Sequence, residues 1–260
     1  MARRRIADCC GILTGASSGI GRALAEQLVG AGAQLLVVSR RGERLDELAK
    51  ALSGAPGRIV TLAGDVTHAE VRQAAVERAQ HAFGELNLLV NNAGSGAMGR
   101  FDQASPERLR QIMEVNFFAP AEMIRAALPA LARGKGSIVV NVDSVLAHRG
   151  VPGCSEYCAS KFALRGLSES LRAEFAPLGI DVLCASPART ETEFFEAVVN
   201  PHETGWPGLR GMPADKVARK IVTAIRRGRH EVVISVSGKA LVWGNRLLPR
   251  LFDFALARSK

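Results

Sequence analysis

Short β-branched runs near residues 8–14, 34–39, 58–63, 86–91, 136–142, 180–185 and 231–235 alternate with longer amphipathic stretches near 18–30, 42–52, 67–83, 105–132, 155–176 and 213–228. This alternation limits the fold more than any other property of the chain. Two neighbouring parallel strands need a crossover of about a dozen or more residues between them, and a helix supplies it. Right-handed crossovers then place helices on both faces of one sheet. The expected class is α/β: a doubly wound parallel sheet of about seven strands, in one domain spanning 1–260. A chain of 260 residues is long enough for a full core, and no repeat, low-complexity tract or linker divides it. The segment 188–212 holds Pro201, Gly205, Pro207, Gly208 and Gly211. Irregular segments of that length usually form a lid or binding element. The 238–260 segment is an amphipathic extension, with Pro249 expected to divide it into two helical pieces.

The first strand runs into Gly15-Ala16-Ser17-Ser18-Gly19-Ile20-Gly21. Glycines at 15, 19 and 21 allow a tight turn and close backbone approach to a pyrophosphate, and the helix that follows directs free N–H groups at that anion. The spacing is G-x-x-x-G-x-G rather than G-x-G-x-x-G. At the end of the second strand, where an unphosphorylated adenosine ribose usually meets an acid, the chain has Ser39 followed by Arg40 and Arg41. An arginine fork suits a 2′-phosphate, so NADP(H) is favoured over NAD(H). A solvated strand end is the plainer alternative. Asp65 and Val66 follow the third strand, where an adenine edge can be met. Asn92, Ala93 and Gly94 follow the fourth and let backbone pass close to a cofactor. All lie at carboxyl ends of strands, where open α/β sheets bind ligands.

Tyr157 and Lys161 are four residues apart, with Ser144 thirteen residues upstream of the tyrosine. On a helix that spacing puts phenol and ammonium on one face. A nearby cation favours the phenolate, which is expected to bring the tyrosine from its usual pKa of roughly 10 toward neutral pH, where it can trade protons.

Composition narrows the remaining choices. The net charge is +9, but the arginines are scattered, and only Arg3 to Arg5 form a run. No basic stretch is interleaved with aromatics, which argues against nucleic-acid binding. Five cysteines without a paired C-x-x-C pattern argue against a disulfide framework or a metal site, and small packing residues are expected instead. No apolar run approaches the roughly 18 residues of a membrane span, and the basic N-terminus has no apolar segment of a signal peptide behind it. A cytoplasmic location is the expectation.

These residues resemble those of the short-chain dehydrogenase/reductase family, in its subtype of roughly 250 residues. The likeness rests on TGASSGIG at 14–21, Asp65, NNAG at 91–94, Asn116, Ser144, Tyr157 and Lys161, in order and spacing from about residue 6 to 190. The resemblance implies a Rossmann-type fold and a Ser-Tyr-Lys triad extended by an asparagine. It makes Tyr157 the proton donor or acceptor at the substrate oxygen and Ser144 the group that polarises the carbonyl. Lys161 lowers the tyrosine pKa and holds the nicotinamide ribose, and Asn116 helps hold a water that relays protons. It further implies a small carbonyl or alcohol substrate and a homodimer or homotetramer built through the helices near 105–132 and 155–176.

The likeness weakens after the sixth strand. Pro187 fits, but Ala188 stands where the family usually has glycine. Thr192 matches the threonine that meets the nicotinamide amide or phosphates, and Thr190 stands where a backbone contact to the amide is expected. The extension from 238 is similar, loosely, to that of reductases acting on apolar or lipid-like carbonyls. It has three readings: packing on its own subunit, cover for the substrate site or a subunit contact, or contact with a membrane surface. Specificity is expected from 145–156 and 188–212, with His148, Phe194, Phe195, Trp206 and Met212 as candidates. Two other functions stay open beside a carbonyl reductase. One is a membrane-peripheral lipid or steroid reductase; the other is an NADP-binding sensor or scaffold without catalysis.

Overall fold

The computed structural model describes residues 4–195 and 211–258. Strands β1 (Cys10–Thr14), β2 (Gln34–Ser39), β3 (Arg58–Ala63), β4 (Leu88–Asn91), β5 (Ile138–Val142) and β6 (Asp181–Ser186) fall on the predicted runs. β7 (Thr190–Glu191) and β8 (Met212–Pro213) form a short parallel pair that ties together the two ends of the long loop. β9 (Glu231–Val233) completes a seven-stranded sheet, parallel throughout, in the order β3-β2-β1-β4-β5-β6-β9. The protein is therefore a single-domain doubly wound α/β fold. The strand order reverses direction between β1 and β4, which opens a crevice at their carboxyl ends.

The helices are α1 (Gly19–Gly30), α2 (Gly42–Ala51), α3 (Ala69–Phe83), α4 (Pro106–Met113), α5 (Ala119–Leu131), α6 (Ser155–Glu174) and α7 (Ala214–Arg227). Alternate strand residues serve opposite cores. Leu13, Leu35, Val37, Val90, Val140 and Leu183 pack under α1, α2 and α7. Ile12, Leu36, Val38, Leu89, Val139 and Val182 pack under α3 and α5. Burial on both faces explains why these strands are continuous apolar runs without a polar alternation.

One predicted helix is broken. The stretch 105–132 forms α4, then a π-helical turn over Glu114–Phe118, then α5. Pro120 has no N–H to give the carbonyl four residues back, that of Asn116, so one α-helical bond is missing at this turn.

The extension forms α8 (Val236–Leu247) and α9 (Pro249–Arg258), divided at Pro249 as expected. Ser235 caps α8 by accepting from the Gly238 amide at 2.8 Å. The hairpin folds back on its own chain. Leu256 packs on Val151, Cys154 and Cys158, and Arg149 reaches Asn245 at 3.0 Å and Asp253 at 2.5 Å. Gly238 runs so close to the turn after β5 that an added Cβ would lie 2.7 Å from Val145 Cγ1. The outer face carries exposed Trp243, Leu247, Leu248, Leu251 and Phe254, with Arg246 stacked on Trp243 and Arg258 on Phe254.

Candidate active site

A cavity of about 1110 Å³ opens along the carboxyl ends of the strands, and every predicted cofactor residue lines it, from the glycine turn to Thr192. None of the three glycines can be replaced without strain. Gly15 has φ 70°, and a Cβ there would come within 2.8 Å of Ala93 Cα; at Gly21 it would meet the Gly15 carbonyl oxygen at 2.1 Å. The loop after β4 locks this turn in place. Asn92 Nδ2 donates to the Thr14 and Gly15 carbonyls, both at 3.1 Å, while Thr14 Oγ1 accepts from the Asn92 and Ala93 amides. Backbone and N–H groups thus form a cradle into which a pyrophosphate fits. Beside it, Asp65 Oδ1 accepts from the Thr67 amide and hydroxyl at 3.0 and 2.9 Å.

The arginines are divided differently from the sequence reading. Arg40 is largely exposed and stands 3.9 Å from Asp65. Arg41 points inward. Its guanidinium donates to Ser17 Oγ at 3.0 Å and Ser18 Oγ at 2.7 Å, and it meets Glu193 at 2.9 Å. Arg44, one turn into α2, donates to both Glu193 oxygens at 2.7 and 2.6 Å. Ser39 Oγ donates to Ser17 Oγ at 2.8 Å. Arg41 was visible in sequence as the second arginine of the pair. Arg44 and Glu193 were missed, because partners 149 residues apart leave no local signal.

At the other end of the cavity, Ser144, Tyr157 and Lys161 converge. Ser144 caps a short turn by accepting from the Leu146 amide at 3.1 Å. Tyr157 and Lys161 share a face of α6, with Lys161 Nζ 5.8 Å from the centre of the tyrosine ring. The Lys161 ammonium donates to the Val142 carbonyl at 3.0 Å, which ties α6 to the end of β5. Phe194 packs edge-to-face on Tyr157 at 5.8 Å.

The tyrosine is not shifted toward neutrality in the cofactor-free chain. Burial pushes its pKa above the ordinary value and Asp143 adds to the rise, while the Ser144 hydroxyl, hydrogen-bonded to the phenol, pulls the other way. Desolvation by burial is the largest of these effects. Tyr157 therefore carries its proton at neutral pH.

Asn116 does not line the cavity. Its side chain is buried and fully used: Nδ2 donates to the Ser95 carbonyl at 2.9 Å and to Ser160 Oγ at 3.0 Å, and Oδ1 accepts from the Ser95 amide at 2.9 Å. It joins the loop after β4 to α6.

The short chain dehydrogenase family model matches residues 10–203. The chain belongs to the short-chain dehydrogenase/reductase family. It is an oxidoreductase of that family. Dehydrogenase/reductase SDR family member 7B of Bos taurus is 31% identical over 96% of this chain and 80% of its own length. A Burkholderia cenocepacia short chain dehydrogenase, solved in complex with NADP, superposes with a TM-score of 0.83 at 29% identity, covering 97% of this chain and 99% of that one. A Burkholderia phymatum short chain dehydrogenase/reductase, solved with NAD, has a TM-score of 0.83 at 26% identity, with 96% of each chain covered.

Within this short-chain dehydrogenase/reductase, Phe194 and Met212 line the cavity. The side chain of Phe195 and the whole of 196–210, including Trp206, lie outside the described residues. His148, a candidate for specificity, does not line the cavity. Its side chain is buried against Ser186 Oγ at 3.1 Å and Arg165 at 3.0 Å. Burial, reinforced by the Arg165 charge, lowers its pKa to about 4. The five cysteines are free and buried. Burial raises the Cys9, Cys154 and Cys184 thiols to about 11, which suits packing better than redox chemistry.

Proposed function

We propose that this chain is an NADP(H)-dependent carbonyl reductase, reversible as an alcohol dehydrogenase. The observation that carries the reading is the convergence of Ser144, Tyr157 and Lys161 on the cavity that also holds the glycine cradle. A bound nicotinamide supplies the hydride. Tyr157, protonated at neutral pH, gives its proton to the carbonyl oxygen. The Ser144 hydroxyl donates a hydrogen bond to that oxygen, where negative charge develops. Lys161 holds the ribose hydroxyls and favours the phenolate that remains. Phe194, Met212 and Leu241 give the substrate end apolar walls.

Solved relatives carry NAD or NADP, so the side chains around β2 must decide between them. No acid ends β2. Instead Arg41 and Arg44 hold a carboxylate, that of Glu193, and a site that gathers an anion in this way suits a 2′-phosphate. Fluorescence titration with NADPH and NADH tests it. Wild type is expected to prefer NADPH, and Arg40→Ala and Arg41→Ala to lose that preference, with Arg41→Ala losing more. Equal affinity for both cofactors in wild type rejects the assignment.

A second reading, a membrane-peripheral reductase of lipid- or steroid-type carbonyls, draws on the exposed apolar and arginine-stacked face of the α8–α9 hairpin. Among the described residues no helix is long and apolar enough to cross a membrane, so the contact would be interfacial. Val236 and Leu241 of α8 line the cavity, which would place its mouth at the lipid. Equal pelleting with anionic vesicles of wild type and of Trp243→Glu/Leu247→Glu removes this reading.

A further inference from the structure

Three consecutive residues after β7 touch three separate parts of the cavity. Thr192 lies against the glycine turn, where a Cβ added to Gly19 would come within 2.9 Å of Thr192 Cγ2. Glu193 reaches the arginines that follow β2, and Phe194 packs on the ring of Tyr157. The pairing of β7 with β8 holds the base of this strap, and Thr192 Oγ1 turns it by accepting from the Phe194 amide at 3.3 Å. Glu193 has no part in the mechanism above, although it lines the same cavity.

Arg41 Nη1 donates to Glu193 Oε2 at 2.9 Å, and Arg44 Nη1 donates to Oε1 at 2.7 Å and to Oε2 at 2.6 Å. The side chains of Arg41, Arg44 and Glu193 are 45%, 39% and 42% exposed. Water and salt therefore screen these pairs, and a competing anion can break them. Bonds from Arg41 to Ser17 and Ser18 hold its guanidinium at the cavity wall independently of Glu193. Charge decides against sharing the site. Two guanidinium groups and one carboxylate leave a single positive charge. A 2′-phosphate brings about two negative charges at neutral pH. With Glu193 in place the cluster would become negative, whereas the phosphate alone would nearly neutralise the arginines.

We propose that Glu193 is a specificity-determining residue whose carboxylate occupies the 2′-phosphate site of the cofactor-free chain and must be displaced when NADPH binds. The inference rests on the NADP(H) reading above and adds the group that limits the preference. The ribose of NADH carries no phosphate and leaves Glu193 on its arginines. Removing the carboxylate therefore strengthens binding of the phosphorylated cofactor alone.

The test is titration calorimetry on the full cofactor-free chain with two probes that differ by one phosphate, adenosine 2′,5′-bisphosphate and adenosine 5′-monophosphate. Wild type is expected to bind the bisphosphate more tightly. Glu193→Gln, nearly isosteric and uncharged, is expected to bind the bisphosphate about fivefold more tightly still, the scale of an exposed ion pair, with monophosphate affinity unchanged. Glu193→Ala is expected to give the same direction, which keeps the test open if the amide variant folds poorly. Bisphosphate affinity that stays the same or falls in a folded variant overturns the proposal, and a wild-type preference for the bisphosphate then leaves the NADP(H) reading standing. Weaker monophosphate binding in the variants means that Glu193 serves the ribose hydroxyls, and it overturns the proposal too. If neither wild type nor variant prefers the bisphosphate, the NADP(H) reading itself fails and takes the proposal with it.

Discussion

At the scale of single residues, the proposed mechanism gives the proton work to Tyr157. A phenol whose pKa is raised by burial keeps its proton at neutral pH and can give it up when a carbonyl is reduced. Tyr157→Phe removes the hydroxyl and keeps the ring that packs on Phe194. Turnover is expected to fall by about 10²–10⁴-fold, with NADPH affinity little changed, as measured by steady-state rates beside a binding titration. Turnover at the wild-type rate would remove Tyr157 from the mechanism. The tyrosine, the lysine and the glycines were legible in sequence because their geometry is local: four residues on one helix, or seven in one strand-to-helix turn. The phenol's raised pKa was not legible, because desolvation depends on everything packed around it.

At the scale of elements, a buried ion pair holds the helix that carries the tyrosine. Arg108 of α4 and Glu156 of α6 are 5% and 3% exposed. Arg108 Nε donates to Glu156 Oε2 at 2.8 Å, and Nη1 donates to the Met98 carbonyl at 3.0 Å. Glu156 precedes Tyr157, so this clamp fixes the first turn of α6 against the loop after β4. Arg108→Ala strands a buried carboxylate and is expected to destabilise the fold by about 3–5 kcal/mol, as measured by chemical denaturation. A loss below about 1 kcal/mol would show the pair to be dispensable. The π-helical turn acts at the same scale. Amphipathic periodicity runs straight through 105–132, and no spacing marks the π-helical turn over Glu114–Phe118.

At the scale of the whole molecule, Phe118 and Phe162 are 47% and 43% exposed on the π-helical turn and on α6. Exposed aromatics on neighbouring helices fit a surface buried between subunits. Sedimentation is expected to show an oligomer at micromolar concentration, reduced toward monomer by Phe162→Asp; an unchanged mass would place any interface elsewhere. The amino-acid sequence by itself determined the sheet, its crossovers, the glycine turn and the Tyr157–Lys161 pair, because each follows from periodicity or short spacing, while Ser144 joined that pair through the family resemblance. The tertiary structure alone decided which arginine turns inward, that Glu193 spans Arg41 and Arg44, that His148 is buried and neutral, and that Asp143 is buried 4.0 Å from Arg165. Those features depend on contacts between residues far apart in the chain and on the removal of water from around charged groups. Neither is a property of spacing.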